Sequence, residues 1–117
     1  IRVKSSKSAK NETKVQLRGR YMEKLRPNNG GKNIIADQLK ALRNQCGLSQ
    51  RDLAGKLQLA GLNFDKNIIT RIETSNRFVN DFELKSLSNY FGVSYSYLLD
   101  GIPTSEDLEK YPDLLPL

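Results

Sequence analysis

Residues 48–73 constrain the fold of this chain more than any other stretch. They contain two short helical patterns separated by a connection that includes Gly61. In the second pattern, Ile68, Ile69 and Ile72 recur at the spacing of one helix face, and polar side chains occupy the opposite face. A helix that packs through isoleucines and presents cations, an amide and a hydroxyl to solvent has the chemistry needed to read a DNA groove.

The composition restricts the chemistry that the chain can perform. The 117 residues suit one domain and include no histidine, which excludes Ser–His–Asp triads, His-based acid–base catalysis and His metal ligands. The single cysteine, Cys46, excludes an internal disulfide and fits a reducing cytoplasm. No apolar run approaches the roughly 18 residues of a membrane span. We therefore predict a cytoplasmic protein that is not an enzyme and binds no cofactor, metal ion or membrane.

The charged residues are distributed unevenly along the chain. Residues 1–33 hold ten Lys or Arg against two Glu, residues 34–101 are nearly neutral, and residues 102–117 have a net charge of −3. The first segment predicts a flexible basic arm, which suits a polyanion partner, although any solvated lysine-rich segment would have the same composition. The last segment predicts an acidic tail, whose apolar residues could cover a groove on the domain or contact a partner.

Between these segments, apolar periodicity predicts five short helices. The residues expected to cap or open them are Asn33, Ser49, Asp65, Asp81 and either Ser94 or Ser96. Helices this short are marginal alone, so their apolar faces must bury one another. The expected core consists of Ile35, Leu39, Leu42, Leu53, Leu57, Ile69, Ile72, Leu84, Leu87, Phe91, Val93 and Leu98. Cys46 is expected to pack at the end of the first helix and to do no chemistry.

An ordered set of short motifs runs through residues 34–101. The motifs are Leu42-Arg43, Gly47-Leu48-Ser49-Gln50, Leu53-Ala54, Ile69-Thr70-Arg71-Ile72-Glu73, Phe91-Gly92-Val93-Ser94 and Leu98-Leu99-Asp100-Gly101. Taken in order, they resemble the Cro/cI-type helix-turn-helix regulators, also called the XRE family. The resemblance implies an all-α fold, a compact five-helix DNA-binding domain like that of lambda repressor, which is usually used as a homodimer.

Two features depart from the family pattern. The connection between the second and third helices is longer than usual, and because Leu59, Leu62 and Phe64 are apolar, we expect it to pack against the domain. Ser75 stands where a glycine often closes the recognition helix.

The resemblance, together with the polar pattern, predicts a surface for DNA. In a helix-turn-helix the second helix of the pair lies in the major groove, where Asn can pair with adenine and Arg or Lys with guanine. The predicted base readers are Lys66, Asn67, Thr70 and Arg71. The predicted phosphate contacts are Gln50, Arg51, Asn76 and Arg77. The resemblance also implies a structural salt bridge between Arg43 and Glu73. Without the resemblance, the same polar positions would be ordinary solvated side chains.

The leading prediction is a sequence-specific regulator that binds double-stranded DNA, acting as a repressor by occluding a palindromic operator. A two-fold homodimer would set two recognition helices about one DNA turn apart, and Tyr95, Tyr97, Leu98 and Leu99 look like core plus dimer edge. The alternative is a protein-interaction module, antitoxin-like or regulator-binding, that uses the helical domain or the C-terminal tail. An enzyme is disfavoured because no clustered catalytic carboxylates or phosphate-binding glycine loop accompany the absence of histidine.

Overall fold

A computed structural model describes residues 30–114, which form six α-helices and no strand. The helices are α1 (Ala36–Gln45), α2 (Gln50–Leu59), α3 (Lys66–Glu73), α4 (Asp81–Phe91), α5 (Tyr95–Asp100) and α6 (Ser105–Lys110). The predicted all-α class and its five helices are confirmed, and α6 follows them. Residues 1–29, which make up most of the predicted basic arm, and residues 115–117 lie outside the described residues. None of the six helices is long and apolar enough to cross a membrane.

Local capping explains where most of these helices begin. Ser49 caps α2 and shares a capping box with Asp52, Asp65 caps α3, and Ser94 caps α5. These three predicted caps are confirmed. The helix α4 differs, because its cap is Asn80 rather than the predicted Asp81. Asp81 is instead the first helical residue, where its negative charge interacts favourably with the positive end of the helix dipole.

The start of α1 also differs from the prediction that Asn33 caps it. The helix begins at Ala36, with Ile35 at the cap position and no side-chain cap. The buried Asn33 side chain accepts a hydrogen bond from the backbone N–H of Ile35 and donates to the carbonyls of Ile72 and Arg77, at 3.1 and 2.9 Å. Asn33 therefore ties the entry into α1 to the end of α3.

One hydrophobic core joins the helices. Every predicted core residue is buried except Leu84, which is half-buried. Tyr97 is also fully buried, so α5 turns both Tyr97 and Leu98 into the core, whereas Tyr95 and Leu99 are exposed. Cys46 is exposed rather than packed, because α1 ends one residue before it.

The longer connection between α2 and α3 packs only in part. Phe64 returns to the core and Leu62 is half-buried, as expected. Leu59 is 90% exposed, so the prediction that it packs is wrong. Its position explains the difference, since α2 continues to Leu59 and places it one helical turn beyond the exposed Gly55 on the solvent face.

The described part of the C-terminal segment packs against its own domain. Asp107 in α6 is buried and accepts hydrogen bonds from the backbone N–H and hydroxyl of Ser94, at 2.9 and 2.5 Å. The Tyr111 hydroxyl donates to the carbonyl of Phe91 at 2.7 Å, and Leu114 is buried in the core. Residues 102–114 therefore hold α4 and α5 together.

Candidate nucleic-acid interface

The helix α3 has one buried face and one polar face. Ile69 and Ile72 are buried and Ile68 is half-buried, so the isoleucine spacing seen in the sequence does anchor this helix. On the opposite side, the structure places three of the predicted base readers in solvent, namely Lys66, Asn67 and Arg71. Within residues 30–114, no hydrogen bond or ion pair engages any of these three side chains. Their donors and acceptors are available to a ligand.

Thr70, the fourth predicted base reader, lies in a different environment. It is half-buried, and its Oγ1 lies 2.7 Å from Oε1 of Gln50 and 2.9 Å from the carbonyl of Lys66. The hydroxyl therefore faces the start of α2. The structure separates Thr70 from the exposed group of three and places it at the boundary between α2 and α3.

Gln50 connects the two helices through both ends of its side-chain amide. Its Nε2 donates to Oε1 of Glu73 at 3.0 Å, and its Oε1 accepts from Thr70. Because an ionised carboxylate can only accept hydrogen bonds, the contact with Glu73 fixes which end of the amide carries the nitrogen. The amide of Gln50 thus orients α3 relative to the first residue of α2.

The salt bridge between Arg43 and Glu73 is present and bidentate. Nε and Nη2 of Arg43 donate to the two carboxylate oxygens at 2.7 and 3.0 Å, and Nη1 donates to the carbonyl of Leu48 at 2.8 Å. The Glu73 side chain is 1% exposed. Hydrogen bonding to Glu73 raises the pKa of Arg43 above its usual value, against the opposing effect of burial. This ion pair fixes α1, α3 and the turn before α2 to one another.

The predicted phosphate contacts outside Gln50 divide into two groups. Arg51 is exposed at the start of α2, and Asn76 is exposed with its Nδ2 donating to Thr74 Oγ1 at 3.0 Å. Arg77 is half-buried, and its two terminal nitrogens each lie 2.9 Å from an oxygen of Glu83. This hydrogen bonding to Arg77 lowers the pKa of the Glu83 carboxyl. The guanidinium of Arg77 is therefore committed to α4, which the sequence did not predict.

A comparison with protein-family models identifies the family to which this arrangement belongs. A family model described as a helix-turn-helix domain matches residues 34–96, which is more than half of the chain. The chain belongs to the helix-turn-helix family. This finding is consistent with the resemblance to Cro/cI-type regulators, and it indicates a DNA-binding regulator. Searches of curated proteins and of solved structures returned no match.

Ser75 closes the helix-turn-helix at the position where the family pattern often has a glycine. Ser75 follows α3 with a φ of 60°, the left-handed region that favours glycine. Its Oγ donates to the carbonyl of Asn33 at 2.8 Å and accepts from the N–H of Asn33 at 3.3 Å. A side chain on Gly31 would overlap Ser75, so the two segments approach closely. The serine hydroxyl compensates for the unfavourable backbone conformation by joining the start of α1 to the end of α3.

Proposed function

We propose that this protein is a sequence-specific regulator of transcription that binds double-stranded DNA by placing α3 in the major groove. The observation that carries the proposal is the exposed polar face of α3, in which Lys66, Asn67 and Arg71 project from a helix anchored by buried isoleucines. Because no hydrogen bond or ion pair within the described residues engages these side chains, the base edges would not have to displace an internal hydrogen-bond partner.

The chemistry of each side chain assigns its role in the groove. Asn67 is the expected reader of adenine and Arg71 of guanine, since each can form two hydrogen bonds to that base. Lys66, at the first position of α3, reads a base or binds a phosphate. The hydroxyl of Thr70 is hydrogen-bonded to Gln50. The methyl group of Thr70 therefore remains for contact with DNA, and it suits the methyl group of thymine.

The start of α2 is the expected site for the DNA backbone. Gln50 and Arg51 occupy its first two positions, where amide N–H groups and the positive end of the helix dipole favour a phosphate. Asn76 and Arg77 follow α3 and would bind phosphates farther along the same DNA strand. Arg77 must share its guanidinium with Glu83, so we expect it to contribute less than Arg51.

A homodimer on a palindromic operator would use the outer face of α5. Tyr95 and Leu99 are 45% and 37% exposed, and Ile102, two residues after the helix, is exposed as well. These apolar side chains would pair across a two-fold axis and set the recognition helices about 34 Å apart. In that arrangement the protein acts in the cytoplasm as a repressor, by occluding its operator.

Selection of bound duplexes from a random pool tests the proposal directly. We expect a palindromic consensus, which would report sequence reading and dimer symmetry together. A monomer that ignores duplex DNA even at low salt would contradict the proposal and favour the protein-interaction alternative.

The consensus then allows a test of one residue. Arg71→Ala should weaken binding to the consensus by about 10- to 100-fold, the range expected for a lost bidentate base contact, and leave weak non-specific binding intact. Lys40→Ala is the matched control, because Lys40 is an exposed cation on α1. Equal losses on consensus and random duplexes would contradict the role of Arg71 as a base reader.

A further inference from the structure

Lys32 and Phe78 lie together beside the end of the recognition helix, and we propose that they form a binding site for the sugar–phosphate backbone of DNA. Nζ of Lys32 lies 5.8 Å from the centroid of the Phe78 ring, close enough for a cation–π contact. Phe78 is 63% exposed and Lys32 is exposed. The proposal rests on the proposed function and adds two residues to its DNA surface.

The position of Phe78 favours DNA as the occupant. It belongs to the loop between α3 and α4, five residues beyond the end of α3. When α3 lies in the major groove, the strand that borders the groove passes close to its flanking loops. A deoxyribose would cover the apolar ring, which water otherwise contacts at a cost in free energy.

Lys32 is held in place by its backbone rather than by its side chain. Its N–H donates to the carbonyl of Ser75 at 2.8 Å, and the neighbouring Asn33 is bonded to the carbonyls of Ile72 and Arg77. These contacts fix the backbone at Lys32 against the end of α3, while the ammonium group stays in solvent. Since the backbone at Lys32 is already ordered, only the lysine side chain must become ordered when a phosphate binds there.

One cation beside this loop remains available for a polyanion. Arg77, the cation within the loop, is paired with Glu83, so the charge that remains available beside Phe78 is that of Lys32. An ammonium next to an exposed ring can bind a phosphate oxygen while the ring packs against the adjoining sugar.

Two substitutions in the full chain test the site. We expect Lys32→Gln to reduce the slope of log affinity against log salt by about 0.9, the value for one lost phosphate contact on duplex DNA. We expect Phe78→Ala to weaken binding severalfold without changing this slope or the base preference. The controls are Lys40→Gln and Leu59→Ala, which remove an exposed cation and an exposed apolar side chain elsewhere and should change neither quantity.

The phosphate itself can be located with duplexes that carry one neutral methylphosphonate at successive positions of the selected consensus. We expect one position beside the base pairs read by α3 at which the wild type loses affinity and Lys32→Gln loses nothing further. If Lys32→Gln and Phe78→Ala behave like their controls while the wild type still selects its consensus, this inference fails and the proposed function stands. If the wild type selects no duplex, the proposed function fails first and this inference fails with it.

Discussion

The N-terminal three helices and the C-terminal three helices use buried polar groups in different ways. Around α1, α2 and α3, the carboxylate of Glu73 accepts from Arg43 and Gln50, and Gln50 in turn accepts from Thr70. Around α5 and α6, the carboxylate of Asp107 accepts from cap residues, while a buried hydroxyl, that of Tyr97, has no hydrogen-bond partner within the described residues.

The difference distinguishes the groups that orient α3 from the groups that we propose read DNA. The network around Glu73 fixes α3 relative to its neighbours and uses none of the side-chain donors of Lys66, Asn67 and Arg71, whereas Gln50 and Thr70 belong both to the network and to the proposed DNA surface. In the C-terminal half, the polar contacts attach α6 to the cap of α5, and the unpaired hydroxyl there is a cost to stability. We therefore expect changes to buried polar groups in the two halves to have different effects on the free energy of unfolding.

The largest effect is expected at Glu73. Glu73→Ala would leave the guanidinium of Arg43 without its partner and Gln50 Nε2 without its acceptor, so we expect the free energy of unfolding to fall by about 3 kcal/mol. Urea unfolding measures this loss, with Glu109→Ala on the exposed side of α6 as the control. A loss no larger than that of the control would show that the network orients α3 without stabilising the fold.

The next effect is expected at Asp107. Burial alone would raise the pKa of this carboxyl, but hydrogen bonds from Ser94 and Thr104 outweigh burial and lower it. Asp107→Asn replaces an acceptor of charge-assisted hydrogen bonds, so we expect a loss of about 2 kcal/mol at pH 7, again by urea unfolding.

The lowered pKa also fixes the sign of the pH dependence. The ionised form of Asp107 stabilises the folded state above the unfolded pKa of about 3.9, and this contribution disappears as the pH falls through the lower folded pKa. The wild type should therefore lose stability in acid more steeply than Asp107→Asn. The exposed neighbour Glu106, changed to Gln, provides the control. Parallel acid profiles for the wild type and Asp107→Asn would remove Asp107 as a source of the pH dependence.

The features predicted from the sequence are those encoded locally. The apolar face of α3 repeats within one helical turn, and the cap of α2 pairs Ser49 with Asp52 three residues later. Such spacings define helices without reference to the rest of the chain. They also define which polar residues of α3 share a face, so the exposure of Asn67 and Arg71 could be anticipated.

The features that were missed depend on segments distant in the sequence. Asn33 bonds to Ile72, 39 residues away, and Asp107 bonds to Ser94, 13 residues away. Neither pairing leaves a periodic signal. The commitment of Arg77 to Glu83 is closer in sequence, but it depends on how the loop enters α4. The exposed polar residues could be predicted from the sequence pattern, whereas the hydrogen-bond partners of the remaining polar residues could not.

The smallest effect is expected at Tyr97, in the C-terminal three helices. Burial, followed by the nearby charge of Asp107, raises the pKa of Tyr97, so its phenol stays neutral at ordinary pH. Tyr97→Phe removes the unpaired hydroxyl and keeps the ring in the core, so we expect the free energy of unfolding to rise by about 1 kcal/mol. Tyr95→Phe is the control, because Tyr95 is exposed and its loss of a hydroxyl should have no effect. Destabilisation by Tyr97→Phe would mean that the hydroxyl has a partner, such as a buried water, and that both halves satisfy their polar groups equally well.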